Sequence, residues 1–89
     1  MMDINQKPKI KKHVTSREEE FGLLLFTNRT PILAFNEDSR LIWEKINNKN
    51  TVKNICEELC NQGKSNLKET EKSVVDFIES CIKLDLLEF

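Results

Sequence analysis

The sequence contains few of the glycine and proline residues that loop-rich proteins need, and few of the histidines that enzymes often use in catalysis. Its 89 residues include two glycines, two prolines, one histidine and no tyrosine. Because glycine and proline shape turns, their scarcity argues against a loop-rich or all-β chain. The one histidine, His13, has no nucleophile or carboxylate that the sequence places beside it, so we expect a surface histidine rather than a general base. A chain of this length also has little surface with which to enclose a substrate, and we predict no catalytic residue and no enzymatic activity.

Long apolar runs are also missing. None approaches the roughly 18 residues that span a bilayer. The N-terminus, MMDINQKPKIKK, lacks the apolar centre and the cleavage site of a signal peptide. The cysteines number three, and an odd number without a secretion signal indicates reduced thiols. We therefore predict a cytoplasmic protein with no membrane partner.

Two of the cysteines, Cys56 and Cys60, form a C-x3-C pair. An iron–sulfur loop of the radical-SAM type would need a third cysteine at the position of Gly63, and zinc would need two further ligands. Helical spacing places both thiols on one face beside Leu59, where cysteine packs as a small apolar residue. The acidic run Glu18–Glu20 cannot converge on one ion, because consecutive side chains of an extended chain point to alternate faces. We predict no metal site and no cofactor.

Positive and negative charges are nearly balanced. Lys and Arg number 14 against 15 Asp and Glu, which gives a formal net charge of −1. The one locally basic stretch is Lys7–Lys12, and we predict that residues 1–12 form a flexible, solvated arm before a single domain over residues 13–89. A nucleic-acid binder needs a basic face to neutralise phosphates. The acidic excess in the remainder of the chain therefore argues against nucleic acid as a partner.

The first half of the chain has the pattern of short strands. Apolar runs at Phe21–Phe26 and Pro31–Phe35 flank the polar segment Thr27–Thr30, which predicts a β-hairpin. An extended segment at about His13–Arg17 is predicted to supply a third strand. Proline cannot donate to a strand ladder, so we expect Pro31 to mark the start or an edge of the last strand.

After Asn36 the apolar spacing becomes helical. Asn36–Ser39 offers N-cap candidates for a first helix, and Thr51 offers one for a second. Gly63 stands where a glycine would end the second helix, and the third is predicted to begin near Lys68. The predicted inner faces are Ile42, Trp43 and Ile46 in the first helix, Val52, Ile55, Cys56 and Leu59 in the second, and Val74, Phe77, Ile78, Cys81 and Ile82 in the third.

Large apolar side chains also occur at the C-terminus and in the first helix. We predict that Leu84, Leu86, Leu87 and Phe89 fold back on the core, because they are too apolar for a free tail. Trp43, the only tryptophan, has two interpretations. It either anchors the first helix to the sheet or contacts a partner, since tryptophan is enriched in interface hot spots.

The order of motifs along the chain resembles that of PqqD-like proteins. The motifs are Phe35-Asn36, then Ile42-Trp43-Glu44, then Asn50-Thr51-Val52, then Leu86-Leu87. The resemblance runs from about Val14 to Leu87, and it departs from the family pattern in two places. Asn48–Asn50 replaces the usual Asp-Gly turn, and Asp85 takes the place of the usual glycine. The segment Glu19–Phe26 also resembles the start of the related mycofactocin chaperone.

The resemblance implies a winged-helix-like α+β domain, with a three-stranded antiparallel sheet followed by a three-helix bundle. It also implies a peptide chaperone without catalytic activity, which binds the leader of a ribosomally made precursor peptide. Such a chaperone presents the precursor to a maturation enzyme, commonly a radical-SAM enzyme. The leader adds as a strand to the third strand of the sheet and lies in the groove between that strand and the third helix.

Strand addition also has a physical basis in this sequence. An edge strand carries unpaired N–H and C=O groups, and an extended peptide can bond to them. We expect Leu33→Pro to abolish binding, because it removes a donor from the receiving strand. The predicted binding residues are Ile32, Leu33, Ala34 and Phe35 on that strand, and Val75, Ile78, Glu79 and Ile82 on the third helix. Ile78 and Ile82 suit the core equally well, and the same edge would allow a homodimer.

Two other functions fit parts of the pattern. A winged-helix DNA-binding regulator shares the strand and helix order, with the third helix as its recognition helix. That helix is rich in acidic residues, which suits phosphate poorly. A structural subunit of a larger enzyme is the other alternative, with Trp43 buried in the interface between subunits.

Overall fold

The computed structural model describes residues 3–62 and 66–89. Five strands and three helices follow one another along the chain. They are β1 (Lys9–Ile10), β2 (Thr15–Glu19), β3 (Gly22–Phe26), β4 (Leu33–Asn36), α1 (Glu37–Asn47), α2 (Val52–Gln62), α3 (Leu67–Lys83) and β5 (Leu87–Glu88).

The larger sheet has the order β2-β3-β4 and is antiparallel throughout. Glu19 stands opposite Gly22 across a two-residue turn, and Leu25 stands opposite Leu33. The smaller sheet pairs β1 with β5. The predicted α+β class, with a three-stranded antiparallel sheet followed by three helices, is confirmed.

The last strand of the larger sheet begins later than the sequence predicts. The polar segment Thr27–Thr30 does separate β3 from β4, but β4 begins at Leu33, so Pro31 and Ile32 precede it. Proline has no N–H with which to join the ladder, and the first residue of β4 that pairs with β3 is Leu33. Ile32, predicted as part of the receiving strand, therefore lies just before it.

The core lies between the inner face of the larger sheet and the three helices. Strand alternation turns Leu23 and Leu25 inward, and Trp43 of α1 is only 3% exposed. The interpretation of Trp43 as a core anchor is confirmed. The buried residues of the helices and of the C-terminal segment are Ile42, Trp43, Ile46, Val52, Ile55, Cys56, Val74, Ile78, Cys81, Leu86 and Leu87.

The helix starts follow the predicted capping chemistry. The side chain of Asn36 accepts a hydrogen bond from the Ser39 N–H, at 2.9 Å, and caps α1. The Thr51 hydroxyl accepts one from the Asn54 N–H, at 3.1 Å. Both predicted N-caps are confirmed, because in each case a side-chain oxygen satisfies an N–H of the first helical turn. The predicted terminating glycine, Gly63, lies outside the described residues.

The N-terminal segment does not form the solvated arm that its charge predicts. Its carbonyl groups cap α2: Gln6 accepts from the Val52 N–H at 3.1 Å, and Ile4 accepts from the Lys53 N–H at 2.8 Å. Pro8 is buried, and β1 pairs with β5. The prediction for residues 3–12 is therefore wrong, because backbone bonding and apolar contacts hold them against the domain.

The C-terminal segment folds back only in part as predicted. Leu86 and Leu87 are fully buried, whereas Leu84 and Phe89 are 41% and 42% exposed. The prediction is right for the first pair and wrong for the second. Leu87 lies in the two-residue strand β5, whereas Leu84 caps the end of α3 and Phe89 follows β5.

The predicted packing of the Cys56 and Cys60 pair in the core is confirmed for Cys56 but not for Cys60, which is only partly buried. Cys56 and Cys81 are buried, and desolvation raises their pKa values to about 11 and about 12. Within residues 3–62 and 66–89, no three histidine, cysteine or acidic side chains gather as they would around a metal ion. None of the helices described there is long and apolar enough to cross a bilayer.

Candidate functional site

The two edges of the larger sheet differ in charge. β2, at one edge, carries Arg17, Glu18 and Glu19 among its five residues. β4, at the other edge, has the sequence Leu-Ala-Phe-Asn and no charge. Charged side chains protect an edge strand from pairing with another chain. Among the described strands, only β3 pairs with β4, so β4 offers an open and uncharged edge.

The register shows which backbone groups of β4 point toward this open edge. Glu19 and Gly22 flank a two-residue hairpin turn, so they form a hydrogen-bonded pair. Since hydrogen-bonding direction alternates along a strand, Leu23 and Leu25 direct their N–H and C=O groups toward β4. Their partners are Phe35 and Leu33.

Leu33 and Phe35 therefore use their N–H and C=O groups within the sheet. The residue between them, Ala34, directs its N–H and C=O groups toward the open edge of the sheet, and its side chain is exposed. The donor that a peptide would meet at the centre of β4 thus belongs to Ala34. The expected effect of Leu33→Pro rests on the wrong residue, because that substitution removes a donor that faces β3.

Three aromatic side chains, Phe35, Trp43 and Phe77, form a cluster between β4 and the helices α1 and α3. The ring of Phe35 lies 5.3 Å from that of Phe77 on α3, and 6.2 Å from that of Trp43 on α1. Both pairs are edge-to-face, the geometry that aromatic quadrupoles favour. Phe35 and Phe77 are half-buried, so they form an apolar floor next to the open edge.

The third-helix residues predicted to line this groove do not face β4. A helix turns by roughly 100° per residue, so Val75 and Glu79 each lie about 160° around the axis from Phe77. Ile82 lies about 140° away. Ile78 is fully buried at 0% exposure, which confirms its interpretation as a core residue and removes it from the groove.

Phe77, which the sequence assigns only to the core, is an α3 side chain that contacts β4, through the ring of Phe35. Its position on the inner face was visible in the spacing, but its contact with Phe35 depends on how α3 crosses the sheet. Ile32 is 63% exposed and directly precedes β4. Of the predicted strand residues, Leu33, Ala34 and Phe35 lie in the edge strand and Ile32 precedes it, whereas Val75, Glu79 and Ile82 of α3 project away from β4.

A family model for "Coenzyme PQQ synthesis protein D (PqqD)" matches residues 22–87. The chain belongs to the PqqD family. The match covers β3, β4 and the three helices, and it omits the N-terminal segment with β1 and β2. A comparison with curated proteins finds no match.

Solved structures share the PqqD fold seen here. One is described as TbiB1 in complex with the TbiA(beta) leader peptide. It has a TM-score of 0.85 and 18% sequence identity, and the alignment covers 90% of this chain and 94% of that one. Another is lasso peptide synthetase B1 complexed with the leader peptide, with a TM-score of 0.85, 11% identity, and coverage of 93% and 99%. At these identities the likeness establishes a common fold.

Asp85 replaces the glycine that is usual in PqqD-like proteins, and it keeps a glycine-like backbone. Its φ is +65°, in the left-handed region that Asp and Asn tolerate better than other non-glycine residues. The Asp85 carboxylate accepts hydrogen bonds from Lys11 and Arg29, which lower its pKa from 3.8 to about 2. The turn after α3 is thereby tied to the N-terminal segment and to the loop that enters β4.

His13 lies in the same cluster rather than at the free surface. Its Nε2 atom is 3.8 Å from an Asp85 carboxylate oxygen. That distance is too long for a hydrogen bond, and the Nε2 atom is buried without a hydrogen-bond partner among the described residues. The prediction of a surface histidine is wrong, because the turn after α3 brings a carboxylate across the sequence to it.

The opposite end of β4 is acidic. Arg40 of α1 bonds to Glu37 and Glu44 and lies 3.5 Å from Glu18. A hydrogen bond with Glu18 raises the pKa of Glu44, while the hydrogen bond from Arg40 lowers that of Glu37. Three carboxylates thus share one guanidinium group, and the end of β4 at Asn36 faces net negative charge.

Proposed function

We propose that this protein binds the leader segment of a ribosomally made precursor peptide by strand addition to β4. The observation that carries the proposal is the open, uncharged edge of β4 beside the aromatic floor of Phe35 and Phe77. Membership of the PqqD family supports it. So does the shared fold of two structures that contain leader peptides.

The backbone supplies affinity in this proposal, and the groove supplies selectivity. The outward N–H and C=O groups of Ala34 bond to the leader at the centre of the strand. Alternate leader side chains then point toward the groove, where Phe35 and Phe77 form the floor, and exposed Ile32 lies where the edge strand begins. The proposed contact residues are Ile32, Leu33, Ala34, Phe35 and Phe77.

In this role the protein is a cytoplasmic adaptor with no catalytic activity of its own. The bound leader holds the precursor for a maturation enzyme, and PqqD family membership favours a radical-SAM enzyme as that partner. A short precursor gene beside a radical-SAM gene would support this pairing. A homodimer through the edge of β4 would occupy the same backbone groups, so leader binding and this form of self-association exclude each other.

The same geometry gives little support to DNA binding. The helix in the place of a recognition helix, α3, contains three lysines and four carboxylates, namely Lys68, Lys72, Lys83, Glu69, Glu71, Asp76 and Glu79. Phosphate contacts require a basic surface.

The decisive experiment replaces Ala34, whose N–H points toward the open edge of β4, with proline. We expect Ala34→Pro to weaken leader binding at least tenfold, while the fold survives because this N–H does not pair with β3. The matched control is Ser16→Pro, which removes an outward donor from the edge of β2. Affinity is measured by fluorescence anisotropy with the labelled leader of the precursor encoded beside this gene, and circular dichroism checks the fold.

The two variants separate the proposal from general effects on the sheet. Weaker binding by Ala34→Pro with near wild-type binding by Ser16→Pro would support strand addition to β4. Equal effects of the two, or no saturable binding of the leader at high micromolar concentration, would overturn the proposal.

A further inference from the structure

A second recess lies between the N-terminal segment and the end of α1. Its volume is about 460 Å3, within the range of small-ligand and peptide-anchor pockets. Apolar side chains from both segments, Pro8, Ile10 and Ile46, contribute to its lining. We call it the lysine cleft, because its remaining lining residues are Lys7, Lys9, Lys49 and Asn47.

The charge of the lysine cleft is uncompensated. None of its three lysines forms an ion pair with a residue that the structure describes, and no acidic residue lines the cleft. Glu88 stands opposite Lys9 in the β1–β5 register, yet the two side chains form no salt bridge. By contrast, Lys11 is paired with Asp85 and Lys45 with Glu58. The three cleft lysines are therefore available to an external anion.

The lysine cleft is remote from the edge of β4. β4 leads into the N-terminus of α1, whereas Ile46 and Asn47 of the cleft lie at the C-terminus of that helix. Eleven helical residues extend over roughly 16 Å. A ligand in the cleft would therefore leave β4 open to a peptide.

We infer that the lysine cleft is a docking site for an acidic peptide segment of a second protein. The three lysines select carboxylates, and the apolar lining selects an aliphatic side chain between them. A segment that alternates acidic and aliphatic residues matches both features. The site is independent of leader binding, because it shares no residue with the edge of β4.

The test uses the full chain labelled with 15N and an acetylated eight-residue peptide of alternating Glu and Leu. We expect saturable chemical-shift changes centred on the amides of Ile10, Ile46 and Lys49. Lys7→Glu should weaken this binding at least threefold. The matched control is Lys68→Glu, an identical charge reversal on exposed α3 surface, which should bind within twofold of wild type.

A second peptide of alternating Glu and Ser separates docking from simple charge attraction. It has the same charge but no aliphatic side chain, and we expect at least tenfold weaker binding. Equal binding of the two peptides would overturn the inference, because it would reveal only attraction of a polyanion. Shift changes centred away from the cleft, or equal losses for Lys7→Glu and Lys68→Glu, would overturn it as well.

Discussion

The ring of Phe77 lies edge-on to the ring of Phe35, with their centroids 5.3 Å apart. This contact joins α3 to the strand whose outer edge is open. It fixes which flank of α3 faces β4, and therefore which side chains a peptide on β4 would meet.

The first prediction concerns this contact. Phe77→Ala should lower leader affinity at least tenfold, because it removes half of the apolar floor. It should also lower the free energy of unfolding by about 2 kcal/mol, less than the roughly 3–5 kcal/mol typical of a fully buried phenylalanine. Urea denaturation and fluorescence anisotropy measure the two effects. The matched control is Ile82→Ala on the opposite flank, and a comparable loss of leader affinity there would contradict the assignment of the groove.

The second prediction concerns the charge of Asp85. Its folded-state pKa is lowered from 3.8 to about 2, so its stabilising effect is complete above pH 4 and disappears as the pH falls toward 2. Asp85→Asn keeps a residue that tolerates positive φ and removes the charge. We expect the variant to be less stable at pH 6, and the difference in unfolding free energy to vanish near pH 2.

Chemical denaturation at a series of pH values measures this difference. Asp76→Asn serves as the control, because Asp76 is well exposed and 4.0 Å from its partner Lys72. A stability difference for Asp85→Asn that stays constant between pH 6 and pH 2 would show that the ion pairs with Lys11 and Arg29 do not cause it.

The third prediction concerns the close approach of β3 and β4. Gly22 has a φ of +148°, and a β-carbon there would overlap the carbonyl oxygen of Phe35. Gly22→Ala should therefore lower the free energy of unfolding by at least about 2 kcal/mol, from backbone strain and from displacement of β4. Ser16→Ala on the exposed strand β2 should change it by less than about 0.5 kcal/mol. Urea denaturation measures the stability of both variants. Equal stabilities of Gly22→Ala and Ser16→Ala would show that β4 shifts to accommodate the added β-carbon at little cost.

The fourth prediction concerns the N-terminal segment. Removal of residues 1–7 deletes the carbonyl groups of Ile4 and Gln6 that cap α2. We expect a loss of about 2 kcal/mol in stability and faster hydrogen exchange at the amides of Val52 and Lys53. Gln6→Ala should leave this protection intact, because the acceptor belongs to the backbone. Unchanged hydrogen exchange at these two amides after truncation would show that the N-terminal segment does not cap α2 and is a solvated arm.

Much of the fold follows from local sequence signals. Asn36 and Thr51 identify two helix starts because side-chain capping is a local interaction. Most of the inner face of α3 follows from helical spacing, since Val74, Ile78 and Cys81 are buried, but Ile82, predicted on the same face, is 37% exposed. The strands were harder to delimit, since their bounds depend on pairing partners that are distant along the chain.

The site was predicted in part. The apolar run predicts a strand at Ile32–Phe35, and the resemblance to PqqD-like proteins implies that it receives the leader; in the structure Leu33, Ala34 and Phe35 lie in β4, and Ile32 precedes it. The flank of α3 that faces the edge could not be predicted, because spacing defines a helical face but not its orientation toward a sheet. Phe77 was therefore assigned to the core alone, while Val75 and Glu79 were assigned to the groove.

By itself, the scarcity of glycine, proline and histidine argues against a loop-rich or all-β chain and leaves no evident catalytic set, while the spacing of apolar residues indicates short strands followed by helices. The spacing of apolar residues and the capping of helices depend on residues that are close together in the chain, so the sequence specifies them directly. Only the tertiary structure decided that Ala34 directs its backbone outward, that Asp85 meets Lys11 and Arg29, and that the basic N-terminus packs against α2. Each of these depends on register or on contacts between distant segments, which are determined by the packing of the whole chain.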